Sequence, residues 1–310
     1  MAISTDPPSK PRLLGDWGTS RLRLWLARDG AITPWREGPG IGVIDRPATQ
    51  VLREILTEMT DDARPLSIAL CGMAGARGGL CEAPYVDCPA DLAAWAQQAV
   101  RIDFDGIPLA IAAGVATPAA SQRADVMRGE ETQVFGAIAC DPALTSGRHT
   151  LLLPGTHSKW VEIDNGSIMS FTTFFTGELF ALLGRSSLLA AGVAGDDEDA
   201  GFAAGLDRAS AGEGVLGDVF QARALQLRQG RSGAWAAAFL SGLLIGGEFA
   251  EMAARGALPA HIQLVGDEKL AKRYALTLAS HEIRTTIFDV EAITLAGLAM
   301  INPGTHDVED

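Results

Sequence analysis

The feature that most constrains the fold is a layout that occurs twice: an apolar run breaks into a short turn carrying glycine and hydroxyls, and a second run leaves at once. In the first copy Leu13-Leu14 enters Gly15-Asp16-Trp17-Gly18-Thr19-Ser20 and exits as Arg21-Leu22-Arg23-Leu24-Trp25-Leu26. In the second, residues 150–153 enter Pro154-Gly155-Thr156-His157-Ser158-Lys159 and exit as residues 160–163. Alternating residues flanking a tight turn predict β-hairpins. Glycine lets the main chain approach an anion closely, amides and hydroxyls donate to phosphate oxygens, and a carboxylate such as Asp16 can hold a hydrated Mg²⁺. An ordinary capped turn uses the same residue types, so the weight lies in the repetition. Two domains that each present such a hairpin can grip one polyphosphate from opposite sides.

Length agrees with two domains, because 310 residues exceed what one hydrophobic core usually serves. The expected division is 1–120 and 121–310, with the last helix able to pack back toward the first domain. A net charge of −13 and the lack of any Lys/Arg run oppose binding to nucleic acid or to an anionic membrane. The polar, proline-bearing start (Asp6, Pro7, Pro8, Pro11) has no apolar signal core, and the apolar run 234–245 is shorter than a bilayer span. A cytoplasmic location is expected. Cys71, Cys81, Cys88 and Cys140 form no C-x-x-C pair, which predicts buried, reduced thiols rather than a zinc site. Assembly state is left open, a homo-oligomer included.

Periodicity predicts a third strand at 31–36, a helix at 50–59, a buried strand at 67–70, a Gly-rich turn at 71–79, a helix at 91–100 and a strand at 109–112. After the second hairpin, Asn165-Gly166 predicts a further turn before a strand at 168–174. Helices are expected at 177–189, 215–227, 234–255, 268–279 and 291–301, with strands at 262–265 and 284–287.

The ordered set of Asp16 to Ser20, Gly155 to Ser158 and Val265-Gly266-Asp267 resembles the sugar-kinase, actin and chaperone-ATPase superfamily. There the first hairpin reads D-x-G-T-[ST], the second G-T-x-S, and a Gly-rich turn meets adenosine. The resemblance narrows to the 2-dehydro-3-deoxygalactonokinase family. It rests on Cys71-Gly72-Met73 with Glu82-Ala83-Pro84-Tyr85, on Asp125-Val126-Met127-Arg128-Gly129-Glu130-Glu131-Thr132-Gln133, and on Leu153 to Val161. Thr176-Gly177-Glu178-Leu179-Phe180 and Leu240 to Gly246 complete it. Two departures, Gly78-Gly79-Leu80 for Gln-Gly-Trp and Ser186 for a His, bear on sugar specificity.

The resemblance implies an α/β protein of two ribonuclease-H-like domains of the sugar-kinase/actin type with an ATP cleft between them. It also implies transfer of the γ-phosphoryl group from Mg-ATP to the terminal hydroxyl of 2-dehydro-3-deoxy-D-galactonate, in galactonate and galactose catabolism. Gly18, Thr19, Ser20, Gly155, Thr156, His157 and Ser158 are then the phosphate-binding residues, Gly266 and Asp267 the adenosine turn, and Asp16 the Mg²⁺-organising carboxylate. Glu130 or Glu131 becomes the base that takes the proton from the attacking hydroxyl; acids complementing a helix start give the plainer reading of either. Arg77, Arg128 and Lys159 are candidates for the anionic substrate, since a guanidinium binds a carboxylate bidentately and an ammonium acts as a point charge. A structural salt bridge for Arg77, a neighbouring Glu for Arg128 and a surface position for Lys159 are the alternatives.

Other motifs carry less. Gly212 to Gly217 fits G-x-G-x-x-G but follows the polar residues 208–211 instead of a strand, so a dinucleotide site is not expected. No G-x-x-x-x-G-K-[ST] occurs, and the run 196–199 lacks metal-ligand interleaving. The rivals are another small-carbohydrate kinase of the same fold and an actin- or chaperone-like ATPase. The second is opposed by a length that leaves no room for a peptide-binding domain.

Overall fold

Leu13, Leu14 and Trp17 are buried on β1 (Arg12–Trp17). The Gly18 N–H closes the first turn on the Arg21 carbonyl at 2.8 Å, and the chain returns antiparallel as β2 (Arg21–Arg28) and then β3 (Ala31–Pro39). This is a computed structural model, and it describes residues 10–185, 195, 197–212, 214–256 and 258–302. Ser186, Asp196, Glu213, Asp6, Pro7 and Pro8 lie outside the described residues. α1 (Ala48–Thr57) buries Val51, Leu52, Ile55 and Leu56 at helical spacing against Leu13, Trp17, Leu24 and Ile68. β4 (Ile68–Gly72), buried throughout, pairs parallel with β1. Then come β5 (Tyr85–Asp87), α2 (Leu92–Gln97), β6 (Val100–Phe104), β7 (Ile107–Ile111), β8 (Gly114–Ala116), β9 (Val126–Met127) and α3 (Glu130–Cys140). The main sheet has the order β3-β2-β1-β4-β7-β6, and β5-β8-β9 form a small sheet of their own.

The second half repeats the plan with β10 (Arg148–Leu153), β11 (Ser158–Asp164) and β12 (Ser167–Phe174). α4 (Thr176–Gly184), α5 (Glu198–Ser210), α6 (Val215–Asp218), α7 (Gln221–Gln229) and α8 (Gly233–Arg255) follow. β13 (His261–Val265), α9 (Glu268–Ser280), β14 (Arg284–Phe288) and α10 (Val290–Ile301) complete the chain. Its sheet runs β12-β11-β10-β13-β14, the same spatial order as β3-β2-β1-β4-β7, with β10, β13 and β14 parallel.

The chain divides into two compact units: Met1–Arg148, Glu162–Phe171 and Asp289–Asp310 in one, and His149–Val161 with Thr172–Phe288 in the other. The first therefore extends past 120 and includes α10. Glycines explain the grouping of α3 with α10, because a Cβ on Gly136 would lie 1.8 Å from the Ile293 carbonyl oxygen and one on Gly297 2.1 Å from that of Thr132.

Several local expectations are corrected. Residues 100–104 form β6, antiparallel to β7, and the expected helix at 91–100 ends at Gln97. The stretch 215–227 divides into α6 and α7. Cys71 and Cys88 are buried free thiols, whereas Cys81 is half-buried and Cys140 exposed. Beyond these corrections, the acidic run 196–199, expected as a solvated loop or helix start, leads into a helix over 198–210, for which no expectation was drawn and whose glycines admit the backbone of α8. A Cβ on Gly201 would stand 2.4 Å from the Trp235 carbonyl oxygen, and one on Gly205 2.1 Å from that of Phe239. Close packing here outweighs the low helix propensity of glycine. α8 itself runs 23 residues, long and apolar enough by length and composition to cross a bilayer, and is mostly buried within the second unit.

Gly205→Val is therefore expected to lower unfolding free energy in urea by at least ~2 kcal/mol, because overpacking forces the helices apart. Gly217→Ala is the control, since its Cβ would meet nothing within 4 Å. It should leave stability unchanged or slightly raised. Equal stability of the two variants would remove the role assigned to this helix contact.

Candidate active-site residues

In the first unit three segments meet at the carboxyl ends of β1 and β4, where Asp16 stands opposite Cys71 and Trp17 opposite Gly72. Ligands of α/β sheets collect at such strand ends. Gly72 has φ +78°, and a Cβ there would lie 2.8 Å from the Trp17 carbonyl oxygen and 3.3 Å from Asp16 Oδ1. Gly129, at φ +113°, comes so near that its Cβ would be 3.3 Å from Gly72 Cα. Both conformations are ones that L side chains rarely adopt. Asp16 Oδ2 accepts from Arg23 Nη2 at 2.6 Å across the hairpin, and the Cys71 thiol points at Oδ1 from 3.8 Å.

Beyond Asp16, Gly18 is half-buried while Thr19 and Ser20 are exposed. Sequence reasoning missed what supports them. Gly40 lies flush behind the turn, where a Cβ would stand 2.4 Å from the Thr19 carbonyl carbon. The Ile41 and Gly42 N–H groups donate to the Gly18 and Thr19 carbonyls at 2.9 and 2.8 Å. The turn's carbonyls are thus held from behind. The available signal was Gly38-Pro39-Gly40-Ile41-Gly42, directly after β3.

The two candidate bases sit differently at the start of α3. Glu131 is 0% exposed, and its carboxylate reaches back to accept the Gly129 N–H at 2.7 and 2.9 Å and the Thr132 hydroxyl at 3.3 Å. Burial, and then the charge of Glu130, push its carboxyl up to about 8 against the opposing Gly129 N–H and Arg128. Burial and the charges of Asp16 and Glu131 likewise hold the Cys71 thiol well above its usual range. Glu130 is half-buried and accepts the Arg128 N–H at 3.2 Å.

The candidate cations also separate. Arg128 donates from Nη2 to the Ala83 carbonyl at 2.8 Å and lies 4.2 Å over the Tyr85 ring, joining the Glu82–Tyr85 motif to the Arg128–Glu131 motif. Its Nη1 is buried without a hydrogen-bond partner. Arg77 is exposed in the Gly-rich turn and forms no ion pair among the described residues, while Leu80 packs partly into the core. Lys159, in the second unit, is only 2% exposed and donates to the His157 carbonyl at 3.2 Å, so it is not a surface lysine.

In the second unit the turn 154–157 is exposed at Thr156 and half-buried at Gly155 and His157. Ser158 is 0% exposed, and its hydroxyl donates inward to Glu248 Oε1 at 2.7 Å. Outward donors are therefore Thr156 and the turn's backbone. The start of α4 lies flush against the turn. A Cβ on Gly177 would be 2.3 Å from the Gly155 carbonyl oxygen, and the Glu178 N–H donates to Thr156 O at 2.9 Å. The Glu178 carboxylate meets His157 Nε2 at 2.5 Å, and the His157 ring packs on Phe175 with centroids 4.6 Å apart. Gly266 lies beside Pro154, and Asp267 caps α9 by accepting from the Lys269 and Leu270 N–H groups at 3.2 Å. No group of three or more His, Cys, Asp or Glu that could hold a metal occurs among the described residues.

Each turn thus offers outward hydroxyls and amides on a rigid backing, and the first unit adds two half-buried carboxylates, Asp16 and Glu130. The chain matches the family 2-keto-3-deoxy-galactonokinase over residues 16–301. It is 36% identical over 291 residues to the Rhizobium meliloti (strain 1021) protein named Probable 2-dehydro-3-deoxygalactonokinase DgoK1, covering 92% of this chain and 94% of that one. It is 34% identical over 262 residues to the 2-dehydro-3-deoxygalactonokinase of Escherichia coli (strain K12), covering 84% and 86%. The crystal structure of a Sinorhizobium meliloti protein assigned to that kinase superposes with a TM-score of 0.80 at 35% identity, over 94% of this chain and 97% of the other. The Acidaminococcus fermentans (R)-2-hydroxyglutaryl-CoA dehydratase component A, at 12% identity and a TM-score of 0.50, covers 94% and 97% and shares the fold alone. With the profile spanning nearly the whole length, this chain belongs to the 2-keto-3-deoxy-galactonokinase family and is a phosphotransferase of the sugar-kinase/actin-like fold.

Proposed function

We propose that the protein transfers the γ-phosphoryl group of ATP to the terminal hydroxyl of 2-dehydro-3-deoxy-D-galactonate, giving the 6-phosphate and ADP in the cytoplasm as a step of galactonate catabolism. The observation that carries this reading is the convergence of Asp16, Gly72 and the Gly129–Glu131 helix start at the ends of two parallel strands. Phosphoryl transfer needs alignment and charge neutralisation more than covalent chemistry. The sugar hydroxyl oxygen bonds to the γ-phosphorus as the bond to the β–γ bridging oxygen breaks. The hydroxyl proton passes to a carboxylate, and ADP leaves with the bridging oxygen.

Glu130 is the proton acceptor in this reading, because its half-buried carboxylate is accessible whereas that of Glu131 is enclosed and bonded to Gly129. Glu131 instead shapes the turn that brings Gly129 onto Gly72. Thr19, Ser20, Thr156 and the backbone of Gly18 and Gly155 hold phosphate oxygens, and Gly266 with Asp267 borders the adenosine. Mg²⁺ keeps most of its waters and takes one or two carboxylates besides phosphate, a sparse donor set that Asp16 fits. When bound, the ion supplies positive charge to the transferring group. Arg128 reads the substrate carboxylate, since its partly desolvated guanidinium has a nitrogen without a hydrogen-bond partner and, among the described residues, forms no ion pair. Such a group gains most from an incoming anion.

The decisive test is substrate preference in an ADP-release assay. kcat/KM for 2-dehydro-3-deoxygalactonate should exceed that for galactose or glucose at least ~30-fold, from a desolvated cation left unpaired by a neutral sugar. Arg128→Met should reduce that ratio with little change in KM for ATP. Neutral hexoses as equal substrates would transfer the assignment to a general sugar kinase. Asp16→Asn should keep the fold and lose at least ~10²-fold in kcat; wild-type turnover in the folded variant refutes its role.

Stability should also depend on pH through Glu131. Its carboxyl holds a proton up to about pH 8 when folded but only to the ordinary value of 4.5 when unfolded, so between those limits the folded state binds more protons. Stability is therefore fully present below the lower value and falls as pH rises toward the upper one. The urea midpoint should decline over this range, and Glu131→Gln should flatten the profile. Parallel profiles in the two proteins would exclude Glu131 as the titrating group.

A further inference from the structure

The second unit holds a buried acid that no motif points to. Glu248, in the interior of α8, is 2% exposed and accepts four side-chain hydrogen bonds. Oε1 takes the Ser158 hydroxyl and the Trp160 indole N–H, both at 2.7 Å. Oε2 takes the Thr176 hydroxyl at 2.5 Å and the Tyr274 hydroxyl at 2.8 Å. No ion pair involves it among the described residues, so four neutral donors alone replace its hydration. A buried charge is tolerated only when its acceptor positions are filled this way.

The donors have a direction. Ser158 and Trp160 open β11 immediately after the turn 154–157, and Thr176 opens α4 immediately before Gly177, the residue that lies flush on Gly155. One carboxylate thus ties both walls of that turn to the same point on α8. We propose that Glu248 is a positioning residue for nucleotide binding: it locks the 154–157 turn against the start of α4 and so presets the spacing of the turn's outward donors. The inference rests on the turn being a nucleotide-phosphate site. A preset turn binds phosphate without first ordering itself, and loosening it returns that ordering cost as weaker affinity.

Glu248→Gln keeps size but offers one acceptor oxygen and an amide that donates. It satisfies Ser158 and Trp160 or Thr176 and Tyr274, not both pairs as now. ADP binding, measured by titration calorimetry on the folded full-length protein, should weaken at least ~10-fold in Glu248→Gln. In turnover, KM for ATP should rise by a similar factor, while KM for the sugar acid stays within about 3-fold. If Glu248→Gln does not fold, Thr176→Val and Tyr274→Phe decide, each deleting one donor and keeping the charge. The Tyr274 hydroxyl, on α9, meets Ser158 and Thr176 as well as Glu248, so Thr176→Val and Tyr274→Phe should each weaken ADP binding, by ~3-fold or more. Unchanged ADP affinity in folded Glu248→Gln, or in both Thr176→Val and Tyr274→Phe, overturns the proposal. Gly155→Asp, whose Cβ would meet nothing within 4 Å, tests the premise separately by placing a negative charge in the turn. ADP affinity unaffected by that charge would show that the turn is not the phosphate site.

Discussion

Backbone-on-backbone contact, which only glycine permits, is the constraint on which the rest depends. Gly40 lies on Thr19, Gly72 on Trp17 and Gly177 on Gly155, each at a distance that a Cβ would bring below 3.0 Å. These contacts turn two short loops, otherwise among the softer parts of a fold, into surfaces of defined shape. The hydroxyls and amides then face outward because the carbonyls are already used behind them: Gly18 and Thr19 accept from Ile41 and Gly42, and Thr156 accepts from Glu178. The same device sets the helices, since Gly136 and Gly297 bring α10 onto α3, and Gly201, Gly205 and Gly242 bring α5 onto α8.

Two buried carboxylates show how hydrogen bonding decides what a buried charge does. Glu131 has the backbone N–H groups of Gly129 and of its own residue, a longer contact to Thr132 and a like charge beside it, so desolvation prevails and its proton is retained to about pH 8. Glu248 is almost as enclosed, and burial raises its carboxyl too, with four short donors opposing that push. In the proposed mechanism neither is the base. One shapes the first unit's helix start and the other holds the second unit's turn, which leaves Glu130, the accessible member of the pair, to meet substrate.

The hairpins were legible because period-2 alternation and turn glycines act within a few residues of one another. β13, α9, β14 and α10 fell where periodicity placed them for the same reason. What was not legible depends on distant partners. α5 contains Gly201 and Gly205, which by propensity argue against a helix and which only the neighbouring α8 backbone explains. For Lys159, a substrate-anion candidate with a surface position as the alternative, nothing nearby in sequence reveals that β11 is buried over its first residues. Glu248 drew no reading from the sequence at all, since its four donors come from β11, α4 and α9, 26 to 90 residues away.

The sequence alone determined the family, the repeated hairpin plan, the two glycine- and hydroxyl-bearing turns and the short roster of charged residues around them. Those properties are written in contiguous residues, where spacing is chemistry. Tertiary structure decided which members of that roster face outward and which are consumed inside. It turned Ser158 and Lys159 inward, enclosed Glu131 while leaving Glu130 accessible, and left one Arg128 nitrogen without a partner. Burial and hydrogen-bond satisfaction arise from groups brought together only when the chain closes, so identical residue types in one motif acquire different surroundings.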